Sequence, residues 1–208
     1  MKDPVYIQFE GPDGSSKSTT IKNLQKIWKD NYNSDLVKYI DPGISLREEH
    51  KKWQDIRNFV KYQDMDSLTE TCMFFALRSE LMSNIEKELK KGNSVACDRG
   101  NISTWVYQGY CKNQSEFIED FEKIVQFKQP DYTFILMADF DVLSDRLEKR
   151  AENIDKFKSN EDFRRKVYKG YWQFIQKNKK DNIYIIEANG TEEEVLNDCL
   201  KILLKNDR

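Results

Sequence analysis

At 208 residues the chain is long enough to bury a core of its own, and 34 basic residues against 36 acidic ones leave a formal net charge of −2. The lysines are scattered instead of massed, which argues against a nucleic-acid groove, and no apolar run is long enough for a membrane span or a signal peptide, so a cytoplasmic protein with no membrane partner is expected. Cys72, Cys97, Cys111 and Cys199 form no C-x-x-C pair and His50 is the sole histidine, so neither a zinc cage nor a disulfide framework is indicated and reduced thiols are expected.

The first element in chain order is a strand over Val5 to Glu10. It runs directly into Gly11-Pro12-Asp13-Gly14-Ser15-Ser16-Lys17-Ser18-Thr19, after which three- and four-residue apolar steps predict a helix over Ser18 to Asp30. A strand, a glycine-rich turn and a helix start aim successive backbone N–H groups at one point, where they can cradle polyphosphate. The phosphate-loop pattern G-x-x-x-x-G-K-[ST] asks for glycine where this chain has Ser16, and the rest fits. Serine there imposes a Cβ and adds a hydroxyl. Gly11, Asp13, Gly14, Ser15, Ser16, Lys17, Ser18 and Thr19 are therefore the expected ATP-binding residues. Lys17 would reach the terminal phosphates and Ser18 would ligate magnesium.

Further strands are predicted over Leu36 to Ile40, Ser94 to Asp98, Tyr132 to Ala138 and Ile183 to Glu187. Helices are predicted over Leu68 to Lys91, Ser115 to Phe127, Val142 to Lys149, Phe163 to Asn178 and Thr191 to Leu204. The stretch after Gly43 reads as irregular. Strands alternating with helices imply an α/β fold, one domain over residues 1–208 with a five-stranded parallel sheet covered on both faces. Ligands in such sheets bind beyond the carboxyl ends of the strands. Glu10-Gly11, Asp41-Pro42, Asp98-Arg99 and Asp139 all fall at those ends. Phosphoryl transfer asks a protein mainly to align two phosphates and neutralise the charge between them. Asp98 suits the magnesium shell beside Ser18, and Arg99 suits a forked grip on an acceptor phosphate.

Several segments resemble the thymidylate kinases, P-loop nucleoside monophosphate kinases that pass the γ-phosphate of ATP to dTMP. Phe9 to Thr19 is similar to that family's F-E-G-x-D-G-x-G-K-[ST]-T, and Asp41-Pro42-Gly43 to its E-P-G turn. Met73-Phe74-Phe75-Ala76-Leu77-Arg78 resembles its [LM]-[LF]-[FY]-A-A-x-R helix. Asp98-Arg99 with Ser103-Thr104 and Tyr107-Gln108-Gly109 resembles its D-R-x-x-x-S-[ST]-x-A-Y-Q-G segment, the most specific match. Gln129-Pro130-Asp131 stands where the family has K-P-D. The likeness spans nearly the whole chain and implies the three-layer P-loop kinase fold.

The resemblance also implies roles. Phe74 and Arg78 lie four apart on one helix face, so a ring and a donor fork can meet the same base. By resemblance Phe74 stacks on thymine, Arg78 donates to its carbonyl, and Thr104 and Gln108 read the remaining edge. Tyr107 would pack against the sugar, Asp13 would meet the 3′-hydroxyl, and Ser103 belongs to the same substrate segment. A second arginine for the acceptor phosphate is expected after the Asp41-Pro42-Gly43 turn, either Arg57, which is preferred, or Arg47. A lid over ATP is expected at about residues 146–162, carrying Arg146 toward the nucleotide and Arg150 and Lys156 toward catalysis. Lys156 stands where arginine is usual and Lys158 where glutamate is usual. Since Ser15 adds no charge to the loop, the lid would bring the cation that stabilises the transferred group.

These readings converge on ATP- and magnesium-dependent phosphorylation of dTMP to dTDP. The alternatives are the same chemistry on dUMP, a 5-substituted pyrimidine nucleotide or a broader deoxynucleotide set, and a nucleotide-binding protein weakened in catalysis, to which Ser16, Lys156 and the irregular segment point. By family analogy the chain forms a homodimer.

Overall fold

The structure, a computed structural model, describes residues 4–32, 34–41, 48–149 and 160–205. Five strands, β1 (Tyr6–Glu10), β2 (Leu36–Ile40), β3 (Ser94–Asp98), β4 (Tyr132–Met137) and β5 (Ile183–Glu187), form one sheet in the order β2-β3-β1-β4-β5. Every pairing is parallel. Because β1 lies between β3 and β4, the chain leaves it on one side and returns on the other, and a crevice opens above its carboxyl end. Phe9 and Ile40 both sit opposite Asp98, so the ends of three strands reach one rim.

Helices α1 (Lys17–Asn31) and α8 (Glu192–Lys205) cover one face of the sheet. Ile7 and Phe9 of β1 point toward them and join Ile21, Leu24, Trp28, Leu136, Val195 and Leu203 in a buried core. The opposite face is covered by α3 (Ser67–Lys90), α4 (Asn101–Thr104), α5 (Ser115–Val125) and α7 (Glu161–Lys177). Helix α6 (Phe140–Lys149) follows β4. Along β1 the residues on that second face are Tyr6, Gln8 and Glu10, all buried. Tyr6 donates to Gln8, and the Gln8 amide donates to Glu10, so a polar ladder runs up an interior strand.

The predicted strands and helices match to within a few residues at their ends. One element departs from expectation. The segment read as irregular carries a 3₁₀ turn at Glu48–His50 and then a helix, α2 (Lys51–Tyr62). Its apolar stripe is thin, with Val60 fully buried and Trp53 packed on the core beside β2 and β3, while Phe59 and Tyr62 are exposed. Trp53, Ile56 and Val60 stand at three- and four-residue steps, a helical spacing that the reading as irregular overlooks, and the helix packs against α3.

Candidate active site

The phosphate loop is shaped by conformations that few residues tolerate. Gly11 has φ +136, and a Cβ there would lie 2.3 Å from the Leu136 carbonyl oxygen. Gly14 has φ +86, and a Cβ would meet the Leu143 carbonyl oxygen at 2.7 Å. Ser16, in place of the pattern's glycine, adopts the left-handed region at φ 66, ψ 13 as the N-cap of α1, with its carbonyl accepting from the Thr20 amide at 2.9 Å. The loop thus keeps its path despite the side chain, at a strain of about 1 kcal/mol. No acidic residue occupies the first turn of α1, which leaves the positive end of the helix dipole uncompensated within its own first turn.

Lys17 lies against the loop itself, where its Nζ donates to the carbonyls of Pro12 at 2.7 Å and Gly11 at 2.9 Å and to Ser15 Oγ at 3.2 Å. Burial, followed by the nearby Arg99 charge, lowers its pKa to about 8. Ser18 Oγ donates to Asp98 Oδ2. A hydroxyl and a carboxylate meeting at a strand end form a hard-oxygen pair of the kind that holds magnesium together with phosphate oxygens and water. Among the described residues no cluster of three or more His, Cys, Asp or Glu could form a metal cage.

Asp98 and Arg99 do not pair with each other. Arg99 takes φ 74, and its guanidinium turns to Asp13 at 2.7 Å, the Gly11 carbonyl at 3.1 Å, Ser103 Oγ at 3.0 Å and the hydroxyls of Tyr107 and Tyr171. Behind it sits Glu10, fully buried, which accepts from the Ser103 amide and hydroxyl and from Tyr171. Burial raises the Glu10 pKa, with the Ser103 hydroxyl and Arg99 opposing the shift.

Away from the phosphate loop, α3 presents Glu70, Phe74 and Arg78 on one buried face. Asp66 caps this helix by accepting from the amides of Leu68 and Thr69. Arg78 is 2% exposed; its Nε donates to Asp41 at 2.8 Å and its Nη2 reaches Asp41, the Gly100 carbonyl and Thr104 Oγ1, while Nη1 has no hydrogen-bond partner among the described residues and lies 3.9 Å from Glu122. Helix α4 continues into a π-helical stretch, Trp105–Tyr110, whose widened turn carries Tyr107 and Gln108, with the Gln114 amide bonded to the Gly109 carbonyl.

One cavity of about 520 Å³ joins these parts. It is lined by Asp13, Gly14 and Ser16 to Thr19 at the loop, by Asp98, Arg99 and Ser103 between, and by Phe74, Arg78, Thr104, Tyr107 and Gln108 beyond. Arg57 also lines it from α2. Arg47, the other candidate, lies outside the described residues, as do Pro42, Gly43, Arg150, Lys156 and the 150–159 part of the expected lid. Gly11 and Ser15 do not line the cavity and act by shaping the loop, with Ser15 fully buried. Arg146 stands apart from it, donating to the carbonyls of Ala188, Asn189 and Gly190 beyond β5.

The sequence places Glu10 and Asp41 only on the strand-end rim, without a role, and its reading missed Lys61, Glu70 and Tyr171 as parts of the site. Lys61 had a findable signal, since it follows Arg57 by one helical turn and lines the same cavity. The others are partners across the fold, with no local pattern.

A family model described as thymidylate kinase matches residues 9–199. The thymidylate kinase of Mycoplasma capricolum subsp. capricolum is 32% identical over 209 aligned positions, covering 97% of this chain and 95% of that protein. That of Finegoldia magna is 32% identical over 218 positions, covering 96% and 97%. Among solved structures, thymidylate kinase from Ehrlichia chaffeensis superposes with a TM-score of 0.75 at 27% identity, covering 97% of this chain and 99% of that one.

Proposed function

The chain belongs to the thymidylate kinase family, and from that premise we propose that it transfers the γ-phosphoryl group of ATP to the 5′-phosphate of dTMP, giving dTDP and ADP. The observation that carries this reading is the single cavity running from the phosphate loop, past Arg99 and Arg57, to Phe74 and Gln108. It has the order that an in-line transfer needs, with a donor phosphate cradle, cations between, and an aromatic base shelf beyond.

In this reading the amides from Gly14 to Thr19 and the Lys17 ammonium hold the donor phosphates. Magnesium, held by Ser18 and Asp98 together with phosphate oxygens, supplies neutralising charge when bound. Arg99 and Arg57 hold the acceptor phosphate, and Arg99 exchanges part of its contact with Asp13 for that phosphate. Phe74 stacks on the base, Tyr107 packs beside the sugar, and Asp13 takes the 3′-hydroxyl. Arg78 acts on the base through Thr104, whose oxygen it holds. Arg150 and Lys156 bring lid charge to the transferred group, and Arg146 braces the loop after β5 against the adenine end. The protein works as one domain in the cytoplasm and as a homodimer. Among the described residues no helix is long and apolar enough to cross a membrane.

The test is ADP release measured with each deoxynucleoside monophosphate in turn. Turnover with dTMP above the others is expected, and none with dTMP defeats the reading. Sedimentation at micromolar concentration checks the dimer.

A further inference from the structure

Gln108 and Thr104 face the cavity as hydrogen-bonding groups whose polarity is ambiguous until their other partners are known. An amide can present its oxygen or its nitrogen, and a hydroxyl can donate or accept. The first ambiguity is resolved from behind. Glu70 of α3 is completely buried, and its Oε1 accepts from Gln108 Nε2 at 3.0 Å and from Lys112 Nζ at 2.6 Å. A carboxylate can only accept, so the amide nitrogen must turn to Glu70 and the amide oxygen is left to the cavity. The Lys112 ammonium, 2.6 Å from the same oxygen, offsets the buried charge beside the amide. At Thr104, Arg78 Nη2 donates to one lone pair of the oxygen at 2.5 Å, which directs the hydroxyl proton away from the guanidinium and leaves a second lone pair.

We infer that Glu70 is a positioning residue that sets the polarity of base recognition, so that the pocket offers an acceptor from Gln108 next to the Thr104 hydroxyl. This rests on the kinase reading above. A ring N–H beside a carbonyl, as in thymine and uracil, complements that pair. Cytosine opposes it at Gln108, presenting a ring acceptor to the amide oxygen. A pocket built to hydrogen-bond one edge rejects the opposite edge by large factors, because both the ligand and the protein groups are left unpaired. Glu70 thereby selects among acceptors without touching them.

The experiment is steady-state kinetics of the full chain with ATP and either dTMP or dCMP, comparing wild type with Glu70→Gln. A glutamine at 70 can donate or accept, so Gln108 becomes free to turn over. The expected result is a fall of at least tenfold in the kcat/KM preference for dTMP over dCMP, carried by a higher KM for dTMP with kcat within about threefold. Glu70→Asp should restore part of the preference. Loss of packing alone would lower both activities together and leave the ratio unchanged, and an unchanged ratio overturns the inference. No turnover of dTMP by the wild type would instead strike the kinase reading. Should Glu70→Gln fail to fold, side-chain amide NMR of ¹⁵N-glutamine-labelled wild type decides. A Gln108 amide protected from water exchange both with and without dTMP supports the lock, and rapid exchange in the free protein overturns it.

Discussion

The two ends of the cavity are built from different material. The phosphate end comes from one continuous stretch, Gly11 to Thr19, whose contribution is backbone conformation: two glycines and Ser16 at positive φ, and a helix start without acidic residues. The base end is assembled from side chains distant in the chain, with Asp41 after β2, Glu70, Phe74 and Arg78 on α3, and Thr104 and Gln108 across the π turn. The first needs only a local path, because amides are present in every residue and polyphosphate asks for charge and direction. The second needs polarity at particular atoms, and a side chain obtains that only from partners elsewhere in the fold.

If this division is right, lesions at the two ends differ in kind. Lys17→Met removes the cation from the phosphate cradle and is expected to lower kcat by about 100- to 1,000-fold while leaving dTMP binding, read by calorimetry, nearly intact. A parallel loss of dTMP affinity would break the separation. Phe74→Ala takes away the base shelf and should raise KM for dTMP about 10- to 100-fold with a small change in KM for ATP, in line with a stacking contribution of about 1–3 kcal/mol.

The pH dependence separates the ends further. Lys17 titrates near 8 in the folded chain because burial, then Arg99, disfavours its charge, against an ordinary value of 10.5. Between those two values the unfolded chain binds the extra proton, so this group makes the folded state more stable as pH rises, and that stability is lost as pH falls through about 8. ATP prefers the charged lysine, so its affinity should fall by up to about tenfold between pH 7.5 and 9.5. Over the same range the Tm of the wild type should rise relative to Lys17→Met. Binding of dTMP should show neither trend.

The smallest effect is expected at Ser16. Ser16→Gly relieves the left-handed strain at the loop, and a gain of up to about 1 kcal/mol would raise Tm by about 2–4 °C with kcat within a few-fold of wild type. A fall in Tm would mean that the serine side chain contributes more than its backbone costs.

The same division explains how much could be read in advance. The strands, most helices and the phosphate loop were legible because apolar alternation, three- and four-residue steps and a glycine-rich turn are signals carried within a few residues. Phe74 with Arg78, and Thr104 with Gln108, were legible as pairs because one helical turn brings each onto a common face. Helix α2 carried the same signal in Trp53, Ile56 and Val60 and was overlooked where the stretch after Gly43 reads as irregular. Arg57 was legible only as one of two arginines at a suitable distance, and the packing of α2 beside α3 is what brings it to the cavity.

Chain order by itself determined the class of fold, the phosphate loop and the inventory of groups that could touch a nucleotide, because those depend on residue type and short spacing. Tertiary structure alone decided which atoms of those groups face the cavity. Glu10 meets Tyr171 across 161 residues, Arg78 meets Asp41 across 37 and Gln108 meets Glu70 across 38. Contacts of that span follow from strand order and from how helices pack on the sheet, and they choose between donor and acceptor at positions where the side chain alone allows either.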